Sequence, residues 1–245
     1  MEEIEGGNIV YAVLKSIFPG MNIPVDLVMS WLVVAILLLV AFLATRQKKL
    51  VPGTLQNMVE TAFEGFAGSA REMMGETGEK LHPLFLTLFL FILVANLIGL
   101  IPGLKSPTSN ININLAMAVI VAFTTQYVSI KHNGLIGYLK HFCGPPFWLA
   151  PLFIIIRVIE EIARPFSLTV RLFCNILAKE ILLGVLVYLM TLFFFSEEIS
   201  SRFLVVMPVI LRPLILLLGM LVSFVQALVF TRLSMVFIAG AVSEH

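Results

Sequence analysis

Arg164-Pro165-Phe166-Ser167-Leu168-Thr169-Val170-Arg171-Leu172-Phe173-Cys174-Asn175-Ile176-Leu177-Ala178-Lys179-Glu180 sets charges and amides inside a long apolar run, residues 146–195, whose internal prolines are Pro151 and Pro165. As one helix of about 50 residues the run would measure roughly 75 Å, against a bilayer core of about 30 Å. It must therefore lie strongly tilted, bend near Pro165, or begin outside the core. A charge at bilayer depth costs at least ~2.5 kcal/mol, and chains keep one where it has a partner or a task. Arg171 is such a charge.

Composition agrees with a membrane setting. The 245 residues are 59% hydrophobic and 13% charged, with a mean hydropathy of +1.02. A soluble domain carries about 25% charged residues. The chain reads as all-α and polytopic, a single integral membrane domain over residues 1–245. A net charge of +1 points to neither nucleic acid nor a polyacidic substrate. Cys143 and Cys174 form no disulfide framework or metal pattern, and Cys174 reads as a packing residue. The acidic start, Met1-Glu2-Glu3-Ile4-Glu5, lacks the basic region of a cleavable signal peptide.

Outward from the central run, the first span is expected at 25–45, after an external N-terminus at 1–24. Arg46, Lys48 and Lys49 close it and place that end inside. Residues 46–82 are mixed in charge, and the recurrence of Met58, Ala62 and Phe66 argues for an interfacial or cytoplasmic helix. Two spans are expected within 83–130, the first ending at Pro102-Gly103 and the second followed by Lys131, His132, Lys140 and His141. Residues 146–239 then form a long tilted hairpin, broken externally at 196–201. Five crossings leave the C-terminus inside.

Residues three or four apart share a helix face. Arg157, Glu160/Glu161, Arg164, Ser167, Arg171 and Asn175 follow that spacing and form a polar stripe. Glu160 precedes Arg171 by eleven positions and Glu180 follows it by nine. On a straight helix those are rises of roughly 16 Å and 14 Å. Glu160 then falls on nearly the face of Arg171, and Glu180 almost opposite. This layout suits two polar routes with a fixed positive charge between them. The blander reading pairs Glu160 with Arg164 near the interface and bonds Arg171 to Gln226 or to a backbone carbonyl.

At these residues the chain resembles subunit a of the F-type ATP synthase membrane sector. The likeness runs from about Val51 onward. It is carried by the opening stretch, by Leu84-Phe85-Leu86-Thr87-Leu88-Phe89 with Asn96 to Pro102, by Asn112-Ile113-Asn114, and by Gln226-Ala227-Leu228-Val229-Phe230 with Ser234. The resemblance implies a stator subunit whose Arg171 faces a rotating ring of c subunits. Two half-channels would carry protons, or Na+, to and from the ring carboxylates. Arginine suits that task because guanidinium stays charged. Glu180 is expected to line the outer half-channel. Asn175 and Gln226 would lie near the arginine, Glu161, Glu160 and Ser167 nearer the inner half-channel, and Asn112 and Asn114 where outer access begins. Peripheral-stalk b subunits, other synthase subunits and a bacterial inner membrane complete the expected setting. No cofactor or metal is implied, and the subunit itself is not an enzyme.

The sequence departs from the family pattern at Lys179, Cys174, Gly219 and Arg157. Lys179 stands where many members have a small residue, and Gly219 where some have a titratable one. Lys179 is thus expected to fill the space left at Gly219 and, with Glu180, to control ion access from outside. Arg157 stands where many have glutamate, which shifts the inner route to Glu160 and Glu161.

Two rival classes predict other features. A self-contained ion/solute antiporter would carry repeats or broken midplane helices, and the sequence displays neither. A membrane enzyme would cluster His, Cys or Asp. His82, His132, His141 and His245 instead sit at span ends.

Overall fold

The computed structural model describes residues 24–46, 54–101, 103–143, 150–195 and 204–243. The expectations placed on residues 1–23, Lys48, Lys49, Pro102, Pro146, residues 196–201 and His245 lie outside these, as do those on the side chains of Met58, Lys140, His141, Cys143 and Pro151. Six helices follow in order among the described residues. They are α1 (Val25–Arg46), α2 (Thr54–Met74), α3 (Glu76–Ile98), α4 (Ile111–Cys143), α5 (Ala150–Phe194) and α6 (Val206–Ser243). A short 3-10 turn, Pro107–Ser109, joins α3 to α4. Five of the six are long and apolar enough to cross a membrane; α2 is the exception. Lipid offers no hydrogen bonds, so helices that satisfy their own backbone are the natural spanning element for so greasy a chain.

The span in α4 ends at His132. Gly134 breaks the helix there, with φ 70 and ψ 165. α5 runs for 45 residues straight through Pro165, a length of roughly 68 Å. Proline has no N–H to return to the Glu161 carbonyl four residues back, which is the usual origin of a helix bend. Thr169 Oγ1 donates to the Pro165 carbonyl at 2.8 Å.

The core lies where α3, α4, α5 and α6 meet. Phe89 and Ile92 of α3, Val121 of α4, Leu168 and Leu172 of α5 and Phe230 of α6 pack together there. A second cluster joins α2 to the first half of α3 and the later parts of α4 and α6 through Ala70, Phe85, Val128 and Met235. α1 is attached more lightly, through Met29 and Val33 against Ala95 and Ile98.

Polar bonds tie the start of α1, the end of α3 and the start of α4. Ser106 Oγ donates to the Ala95 carbonyl at 2.9 Å, one of the last carbonyls of α3 that lacks a partner within the helix. Thr108 Oγ1 donates to Asn96 Oδ1, and Asn114 Nδ2 donates to the Thr108 carbonyl. All four of these polar side chains are buried. Asn110 Oδ1 accepts from the Asn112 backbone N–H and caps α4. Asn110 Nδ2 donates to Asp26 Oδ2 at 2.7 Å, which fastens the start of α1.

The turn between α2 and α3 depends on close backbone approach. A Cβ at Gly78 would lie 2.0 Å from the Ala70 carbonyl oxygen, whereas one at Gly68 meets nothing within 4 Å. Gly78→Ala should therefore destabilise the subunit by about 1–3 kcal/mol through overpacking, and Gly68→Ala should not. Thermal unfolding of the detergent-solubilised complex distinguishes the two. Equal midpoints would contradict the packing at this turn.

Candidate functional site

Arg171 lies midway along α5 with its side chain exposed. Leu168, Leu172 and Ile176, roughly 60–140° around the helix from Arg171 on one side, are buried. Ser167 and Asn175, four residues to either side, share the exposed face. Cys174 does too, contrary to its reading as a packing residue. At 100° per residue it stands roughly 60° from Arg171 on the side away from Leu168, so it falls outside the buried arc. Ile155, Ile159, Ile162 and Phe166, roughly 120–180° around α5 from Arg171, are exposed as well. α5 and α6 thus leave much apolar surface uncovered, and Arg171 lies in a polar stripe midway along α5. Only 11% of the most apolar part of α5 is buried within the chain.

The polar groups on either side of Arg171 are met by other helices. On the Pro165 side, Gln126 of α4 donates through Nε2 to Glu161 Oε2. Arg164 lies 3.8 Å from both Glu160 and Glu161. Its guanidinium also stacks over Phe237 of α6, 5.6 Å from the ring centre. Glu161, Arg164, Thr125 and Phe237 line a cleft between α4, α5 and α6. Glu160 is exposed, on the side of Arg171. Loose, partly exposed pairs of this kind are worth about 0–1 kcal/mol. Stability alone therefore gives little reason for them.

On the other side, Asn175 Nδ2 donates to Gln226 Oε1 at 2.8 Å. Gln226 is buried, and its Nε2 has no hydrogen-bond partner among the described residues. Gln226 thus binds the asparagine rather than the guanidinium. One turn further on, Lys179 Nζ donates to the Asn96 carbonyl at 3.2 Å. That carbonyl is also among the last four of α3, where helix-end partial charge attracts a cation. The lysine stem lies over Gly219, and a Cβ added there would come within 3.3 Å of Lys179 Cδ and 2.9 Å of Leu100 Cδ2. The glycine makes room for the lysine. Glu180 is half-buried, turned away from Arg171. It feels the charges of Lys105, Lys179 and Asp26, with the Ser109 side chain as a hydrogen-bond neighbour. Asn114 is buried beside this group, while Asn112 is exposed.

Four participants were not anticipated from sequence: Gln126, Asp26, Lys105 and the Asn96 carbonyl. Gln126 was visible in principle as an amide within an apolar span. Asp26 and Lys105 read as ordinary span-flanking charges until folding brings them together. Among the described residues no three His, Cys, Asp or Glu side chains converge as metal ligands.

A family model described as ATP synthase A chain matches residues 27–239. The chain belongs to the ATP synthase subunit a family. It is 46% identical to ATP synthase subunit a 3 of Pelobacter propionicus over 215 residues, 88% of this chain and 86% of that protein. Subunit a of Geotalea daltonii is 46% identical with the same coverage. Subunit a of Geobacter sulfurreducens is 43% identical, again over 88% of this chain and 86% of the relative. Members of the family are non-catalytic membrane-sector subunits that work with other ATP synthase subunits. The five apolar helices and the membrane setting follow from the same membership.

Among the described residues, the Asn175–Gln226 bond ties the side chains of α5 and α6 together beside Arg171. A double-mutant cycle over Asn175→Ala and Gln226→Ala should return a coupling of about 0.5–1.5 kcal/mol in unfolding of the solubilised complex. Strict additivity would mean that the two amides do not meet.

Proposed function

We propose that this chain is the ion-translocating stator subunit of an F-type ATP synthase. It lies in a bacterial inner membrane with its N-terminus outside and its C-terminus in the cytoplasm. Arg171 faces a ring of c subunits, each bearing one ion-binding carboxylate. Peripheral-stalk b subunits hold the stator against the turning ring. The observation that carries this reading is the exposure of Arg171 midway along a long helix whose apolar residues are mostly uncovered. A permanent cation at bilayer depth needs an anion, and the described residues of this chain offer it none. A carboxylate presented by an apolar partner meets both needs.

Two half-channels follow from the flanking groups. The inner one runs by Glu161, Glu160 and Ser167, with Gln126 holding Glu161 in place. The outer one runs by Glu180, Lys179 and Asn175, with Gln226 fixing Asn175. Each carboxylate stands roughly 14–16 Å along α5 from the arginine, too far for direct transfer. An ion must leave one route, ride the ring, and enter the other. Arg171 draws the ring carboxylate as it loses its ion and blocks a direct path between the routes. About 2.3 kcal/mol is available per charge per 100 mV. Several ions are therefore needed per ATP, which a ring of many carboxylates supplies.

Arg171→Ala should reduce coupled transport by the assembled complex in vesicles to background and admit a passive proton leak. Coupled transport that survives the substitution would sink the assignment. Lys179→Gly should alter the pH dependence of ion flux, because it removes a titratable group from the outer route. An unchanged flux–pH profile would remove Lys179 from that route.

A further inference from the structure

Asp26 and Lys105 belong to no part of the route described above, yet they stand at its outer end. Lys105 Nζ lies 3.1 Å from Asp26 Oδ1. That oxygen is buried and has no hydrogen-bond partner of its own, so the ammonium is the charge that answers it. The second oxygen, Oδ2, is taken by Asn110 Nδ2 at 2.7 Å. Both Lys105 and Asp26 act electrostatically on Glu180, as does Lys179. The charged groups facing Glu180 therefore come from three places: Asp26 from α1, Lys105 from the loop before the 3-10 turn, and Lys179 from α5 itself. α3 contributes the Asn96 carbonyl, already bound by Lys179, and α6 contributes Gly219, which brings no side chain. Two carboxylates are thus matched by two ammoniums among the described residues.

The chemistry of this cluster separates protons from metal cations. Na+ must exchange its hydration shell for several oxygens carrying net negative charge. Here Asp26 already has a resident cation in Lys105, Glu180 lies in the field of Lys105 and Lys179, and the amide of Asn110 presents its N–H rather than its oxygen to Asp26. A proton needs no cage: it adds to one lone pair of a carboxylate oxygen and leaves by the same path. We propose that Lys105 is a specificity-determining residue, a built-in counter-cation that keeps metal ions off Asp26 and Glu180 and leaves the outer mouth to protons. The inference rests on the two-half-channel reading. The ring carboxylate decides which ion is carried, and Lys105 decides which ions can occupy the way to it.

The test uses the whole synthase in vesicles loaded so that Na+ bathes the outer face, with choline as replacement ion. Proton-driven ATP synthesis is the readout. Raising Na+ a hundredfold should leave the unsubstituted complex within about twofold of its starting rate, and should slow Lys105→Met at least about fivefold, since truncating one partner leaves the other charge open. Lys105→Arg, which keeps a cation, should behave as the unsubstituted complex does. Inhibition of the unsubstituted complex by outer Na+, or its direct uptake of labelled Na+, overturns the proposal whether or not a variant assembles. So does a Lys105→Met complex that assembles, makes ATP and ignores Na+. Either result leaves the stator assignment standing, because that assignment fails only if Arg171→Ala retains coupling.

Discussion

A fixed cation that the described residues of its own chain leave unanswered organises this molecule. The other charged side chains of α5 have partners. Glu160 and Glu161 meet Arg164, Lys179 meets the end of α3, Glu180 shares the field of Lys105 and Asp26, and Arg157 is also engaged. Arg171 has none among the described residues. Insertion costs at least ~2.5 kcal/mol for such a residue, so an arrangement that leaves it open is incomplete without a second molecule. The uncovered apolar residues of the same helix have the same implication. They are stable only against lipid or an apolar partner, and the open cation between them favours a partner that brings a carboxylate.

That constraint explains where the core sits. Leu168, Leu172 and Ile176 hold α5 by one narrow arc against α3, α4 and α6. The remainder of the helix is free to present the arginine. A wider buried arc would bury Ser167 and Asn175 too. The buried cluster behind Arg171 therefore acts as a rigid backing, so the position of the guanidinium is set by packing rather than by a bond to another side chain.

The fold class was legible because its signals are long. Apolar runs of twenty or more residues and a composition poor in charge leave few options besides a helical membrane protein. The polar stripe was legible as well, since helical spacing alone puts Ser167, Arg171 and Asn175 on one face. Partners across helices were not. Nothing in the sequence says that Gln226 binds Asn175 rather than Arg171, or that Gln126 reaches Glu161, because those choices depend on how the helices are rotated against one another. Cys174 shows the same limit: its residue type argued for burial, while its angular position beside Arg171 put it outside the narrow buried arc. The Lys179–Gly219 pairing was legible only as two departures from a family pattern, one gaining bulk and one lacking it.

The two ends of α5 are built differently, and the difference has a physical reason. The end near Glu180 is stitched by buried bonds among Asn96, Ser106, Thr108 and Asn114, and by Asp26 to Asn110 and Lys105. The end near Glu161 has pairs at 3.8 Å with partly or fully exposed side chains. Helix termini account for the contrast. α3 ends at Ile98 and α4 begins at Ile111, so carbonyls and amides without partners in their own helices converge near Glu180 and must be capped where they are buried. Among the described residues no helix ends beside Glu161. Its surroundings can therefore stay open, and an open, weakly paired carboxylate exchanges with bulk water more readily than a stitched one. The proposed inner route is thus a cleft, and the proposed outer route is a set of fixed polar groups in which Lys179 has a second duty: closing the end of α3 while standing beside Glu180.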